Sequence, residues 1–71
     1  MQLNVELGQI AEAHQARAEY HAILGDYEVA VATLQLALRE AGDDGYLKSS
    51  LRARLTEMEE RLRLQKAVRN G

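Results

Sequence analysis

The sequence predicts an all-α fold, an antiparallel helical hairpin followed by one long C-terminal helix, and three observations carry that prediction. Its 71 residues include no Pro, Trp or Phe and are rich in Ala, Leu, Glu and Arg, the residues that lose least on entering a helix. Apolar positions recur three and four residues apart through most of the chain. Two glycine-aspartate breaks, Gly25-Asp26 and Gly42 to Gly45, divide that periodicity into three stretches. A chain of this length forms one domain at most, here 1–71, and buries only about 60% of its unfolded surface. Without cysteine, neither a disulfide nor a thiolate metal site supplements so small a core.

The first helix is expected over about 10–24, where Leu7, Ile10, His14, Ala18, His21 and Leu24 keep helical spacing and Ala11, Ala13, Ala16 and Ala22 fill neighbouring positions. Gly8 weighs against an uninterrupted helix from the N-terminus, so Gln2 to Leu7 are read as the end of a preceding element. At the first break Gly25 supplies a residue tolerant of left-handed backbone, and Asp26 a side chain able to accept from the free N–H groups of the next helix.

The second helix is expected over about 27–41. Tyr27, Ala30, Val31, Leu34, Leu38 and Ala41 share one face, with Val29, Leu36 and Ala37 beside it. Such a broad apolar surface serves two neighbours, which makes this the most buried helix. Asp44 is the natural N-cap for the third, and Asp43 adds negative charge at the positive end of its dipole.

The third helix is expected over about 46–68, with Leu47, Leu51, Leu55, Met58 and Leu62 forming a narrow seam that fades toward the C-terminus. Glu57 with Arg61, and Glu59 with Arg63, are favourable i,i+4 pairs, each stabilising by roughly 0.2 to 0.5 kcal/mol.

The stretch from Ala18 to Leu38 resembles the tetratricopeptide repeat (TPR), a helical hairpin of about 34 residues. Ala18 and Ala30 stand where the two helices approach, Gly25 at the turn, Tyr27 packed over it and Ala37 where the next helix comes near. His14, Arg17 and Gly42 depart from the family pattern. The resemblance implies a TPR-like three-helix right-handed solenoid fragment, with Glu12, Gln15, Glu19, Ala22 and Ile23 on the concave side that grips a peptide or a neighbouring domain. A narrower set of residues, Ala11-Glu-Ala-His, Ala18-Glu-Tyr, Gly25-Asp-Tyr, Leu34 to Leu38, Asp44-Gly-Tyr and Arg52-Ala-Arg-Leu, resembles the C-terminal repeat region of bacterial M48-family zinc metalloproteases. That likeness covers about 8–62. It implies a non-catalytic scaffold in a longer, periplasmic or membrane-associated protein of envelope quality control. The His-Glu-x-x-His peptidase motif is absent here, so no catalytic, metal or cofactor residue is carried over and the chain itself is not expected to be an enzyme.

Other chemistries are weaker readings of the same residues. His14 and His21, seven apart, share a helical face but lack the i,i+3 or i,i+4 spacing and further ligands of a helical zinc site, and are read as packing histidines. Glu57, Glu59 and Glu60 sit among arginines, where carboxylates stay solvated instead of entering the desolvated pocket that acid–base work requires. Ser49 and Ser50 are the only serines and have no base beside them.

Charge is asymmetric. Met1 to Asp44 carry eight acidic and two basic residues, and Gly45 to Gly71 three acidic and seven basic. Halves of opposite sign attract each other or a second copy. Nucleic-acid binding is disfavoured because the cations straddle the seam and alternate with glutamates. A membrane-surface role lacks an aromatic anchor, and no run approaches the roughly 20 apolar residues of a stable membrane insertion; the N-terminus also lacks the layout of a signal peptide. The expected partners are a protein or peptide and, because one hairpin plus a cap leaves apolar surface uncovered, further copies in a homo-oligomer. A stand-alone helical oligomerisation module is the alternative function.

Overall fold

The computed structural model describes residues 7–70, with side chains described from Gln9 to Arg69. The chain forms three helices, α1 (Leu7–Ile23), α2 (Tyr27–Glu40) and α3 (Gly45–Asn70), with no strand among the described residues. Helix α1 begins three residues before the expected start and takes Gly8 into its first turn; a helical glycine costs about 1 kcal/mol against alanine, which does not by itself end a helix. The proposed preceding element falls mostly on residues 1–6, outside the described residues. Helix α3 runs from Gly45 to Asn70, beyond the expected 46–68, so its last turns project without losing helical geometry.

Gly25 makes the first turn by adopting φ +81°. Its N–H donates to the Ala22 carbonyl at 2.9 Å and the Asp26 N–H to the His21 carbonyl at 2.8 Å, the two bonds of a Schellman C-cap. Asp26 occupies the N-cap position of α2 but makes no side-chain cap bond, contrary to the expectation. The second turn passes through Gly42 at φ +66°, and there the expected cap forms: Asp44 Oδ1 accepts from the Leu47 N–H at 3.0 Å.

Helix α2 is the centre of the molecule, packed along both α1 and α3, whereas α1 and α3 meet over a short stretch. The core comprises Ala11 and Ala18 of α1, Ala30, Leu34 and Ala37 of α2, Ala41 just after it, and Leu51 and Met58 of α3. Leu47 and Leu55 pack against it and Leu62 is half-buried, so the seam of α3 is the face that meets the rest. Within α2 the order differs from the expectation: Val29 and Leu36 are exposed, and Thr33 is buried. The Thr33 hydroxyl donates to the Val29 carbonyl at 2.8 Å, which satisfies its polar atom inside its own helix and lets it enter the core without an unpaired group.

Candidate protein-binding groove

Helices α1 and α3 run side by side at the C-terminal end of α1 and leave an open groove of about 220 Å³ between them. Its α1 wall is Glu19, Ala22 and Ile23, its α3 wall Arg54, Met58 and Arg61, and Tyr27 contributes from the start of α2. The local sequence explains both walls. Glu19, Ala22 and Ile23 stand three and four apart on α1, and Arg54, Met58 and Arg61 four, then three apart on α3, so each set lines one side of its helix.

Two contacts fix the spacing of these walls. Arg54 reaches across with its Nε–H to Glu19 Oε2 at 2.7 Å and Nη2 to the other oxygen, the two-pronged geometry that suits a guanidinium to a carboxylate. Nη1 holds Glu57 on its own helix. The hydrogen bond it donates to Glu19 is the largest influence holding the Arg54 guanidinium more firmly protonated than usual. Farther along, Gln65 Nε2 donates to the Gly25 carbonyl at 2.8 Å and pins α3 to the first turn.

Of the residues expected on a concave face, Glu19, Ala22 and Ile23 line this groove. Glu12 and Gln15 do not; Glu12 is exposed and Gln15 half-buried. The α3 wall lies outside the expectation: the spacing places Met58 in the apolar seam, and the flanking Arg54 and Arg61 face the groove only once α3 has docked. The expected Glu57–Arg61 and Glu59–Arg63 pairs do not form: Glu57 turns back to Arg54, and Arg63 pairs with Glu60. Since Arg54 is already anchored on Glu19, its second edge is poised for Glu57, and Arg61 is left without a carboxylate partner among the described residues.

The remaining candidates lie apart. His14 and His21 are half-buried; His14 Nδ1 is shielded and makes no hydrogen bond among the described residues, and the His21 ring meets Tyr20 edge-on at 5.7 Å between centroids. No cluster of three or more His, Cys, Asp or Glu is placed to hold a metal ion among the described residues. Glu57, Glu59 and Glu60 are exposed, as are Ser49 and Ser50. No helix among the described residues is long and apolar enough to cross a membrane.

Among the described residues, fold and groove together define the class as an all-α three-helix unit with an open groove between α1 and α3. No family model matches the chain, and neither does any curated protein or any solved structure.

Proposed function

We propose that this chain is a non-catalytic, TPR-like scaffold that binds an extended peptide or a neighbouring protein in the groove between α1 and α3. The observation that carries the reading is the groove itself: it sets the exposed Ile23 and the half-buried Ala22 and Tyr27 beside Arg61, which has no carboxylate partner among the described residues, with walls held apart by the Arg54–Glu19 fork. A groove that mixes apolar and charged side chains suits a peptide, whose backbone and alternate side chains need both. The fully buried Ala18, Ala30 and Ala37 and the left-handed Gly25 support the repeat reading. So does α3, which lies against α2 and touches α1 as the first helix of a following repeat would. Three of the cations of α3, Arg54, Arg63 and Lys66, face carboxylates, which favours a protein partner over a polyphosphate one.

The finer reading, from the sequence resemblance, is that the scaffold serves a bacterial M48-type zinc metalloprotease of the cell envelope whose catalytic domain lies elsewhere in the same protein. An upstream reading frame encoding a His-Glu-x-x-His helix in phase with this chain is the expected genomic result, and an in-phase stop codon removes that parentage while leaving the groove untouched. The groove is tested by amide NMR titration with a pool of extended peptides. Shifts are expected at Glu19, Ala22, Ile23, Tyr27 and Arg61, with binding weakened about tenfold or more by Arg61→Glu, a change worth about 1.4 kcal/mol. Shifts confined to other surfaces, or none, overturn the reading.

A further inference from the structure

Helix α1 is built with two working faces, and only one is used inside the monomer. Ala11 and Ala18 are sealed in the core. On the opposite side Ala13, Ala16, Tyr20 and Ile23 follow one another at spacings of three, four and three, all exposed, with Tyr20 60%, Ile23 82% and the flanking Leu24 62% open to solvent. That is the repeat by which one helix meets another along a seam, and a contiguous apolar stripe of this kind marks a contact surface where scattered exposed residues would not.

We infer that this outer face of α1 is the interface of a parallel two-fold homodimer, a surface that shares Ile23 with the groove and is otherwise separate from it. The charges beside the seam choose the partner and its direction. Glu12 precedes the first seam residue on one side and Arg17 follows the second on the other, five positions later. That separation prevents them from pairing on one helix, where only residues three or four apart meet. Both are exposed, and neither has an ion-pair partner among the described residues.

In a parallel pair of helices, a charge just before the seam faces the residue five positions farther along the other helix. Glu12 then meets the partner's Arg17, and Arg17 meets the partner's Glu12, so one symmetric arrangement satisfies all four charges. An antiparallel pair would set Glu12 on the partner's Glu12 and Arg17 on the partner's Arg17. The outer face is therefore complementary to itself in one orientation.

The test is light scattering after size exclusion, at roughly 100 μM, where a micromolar dimer is populated. The expected mass is about 16 kDa, twice the 8.0 kDa of the chain. Tyr20→Ser should return the monomer with unchanged helical circular dichroism, since Tyr20 lies outside the core. Glu12→Arg and Arg17→Glu, each of which sets like charges at both contacts, should weaken the dimer about tenfold or more. Mixing those two variants, or combining them in one chain, should restore it, which a misfolded variant could not do. A monomer at every concentration overturns the inference. So does a dimer indifferent to Tyr20→Ser, or one that tolerates both single charge reversals, as an antiparallel pair would. A monomer whose groove residues still respond to peptide sinks the dimer alone; a Tyr20→Ser monomer, in which Ile23 is released, that gives no peptide response sinks the groove alone.

Discussion

Helix α2 is held on its two sides by different means. On α1 the fully buried residues are alanines, Ala11 and Ala18; on α3 they are large, Leu51 and Met58; α2 itself contributes both kinds, Ala30 and Ala37 with the large Leu34. The two backbones approach more extensively on the alanine side. Small side chains gain little from leaving water, roughly 25 cal/mol per Å² of apolar surface, but they admit close backbone approach and so fix position. Large ones supply most of the burial energy and tolerate some repacking. The first contact sets the geometry of the hairpin, and the second supplies much of what keeps it folded.

Opposite substitutions on the two sides should break that contrast. Leu34→Ala removes a fully buried side chain and should cost roughly 2 to 5 kcal/mol, a large share of the roughly 3.5 to 10 kcal/mol expected for a chain of this size. Urea or thermal unfolding followed by circular dichroism measures it. Ala18→Leu adds volume where there is none to spare and should cost roughly 1 to 3 kcal/mol while shifting α1 on α2. If Ala18→Leu is neutral, the alanine contact is loose and the contrast fails.

Much of this architecture was legible in the residues, and the departures have physical reasons. The three helices follow from periodicity and the two glycine breaks, and the seam from Leu47 to Leu62 is a single-helix pattern that needs no knowledge of its partner. Thr33 was invisible because hydrophobicity ranks it below Val29 and Leu36, whereas the helix carbonyl four residues back satisfies its hydroxyl. The ion pairs on α3 were misassigned because a glutamate has acceptable partners at three and at four residues, and a contact from another helix, Glu19 on Arg54, decides between them. Half of the groove was legible for a related reason. The α1 wall came from the repeat resemblance, but facing it with Arg54, Met58 and Arg61 requires the rotation of α3 about its own axis, which is set by Gln65 on the Gly25 carbonyl as much as by the leucines.

A smaller effect separates backbone geometry from packing at the first turn. A Cβ on Gly25 would meet no atom within 4 Å, so any cost of Gly25→Ala comes from holding a non-glycine residue at φ +81°. That conformation costs an L-residue about 1 to 2 kcal/mol. Gly25→Asn should recover part of the loss, because asparagine tolerates left-handed backbone better. Equal destabilisation by both would point to a steric cause that the open space around the turn argues against.

The least of these effects distinguishes the two aspartates that begin α2 and α3. Asp26 is committed to the end of α1 before it can serve α2: its N–H closes the Schellman motif on His21, and the resulting φ −93°, ψ 69° leave its carboxylate without a cap bond. Asp44 follows a longer connection; its N–H also turns back, to the Ala41 carbonyl at 3.3 Å, yet its carboxylate does accept from Leu47. Asp44→Ala should therefore cost about 1 kcal/mol. Asp26→Ala should lose only the attraction of an exposed anion to the helix dipole, about 0.3 to 1 kcal/mol at low ionic strength. Salt separates the two mechanisms, because at about 1 M the screening length falls to about 3 Å. The Asp26 effect should then largely vanish while that of Asp44 persists, its hydrogen bond being a contact that screening does not reach. Two aspartates with the same salt response would mean that both act through charge alone.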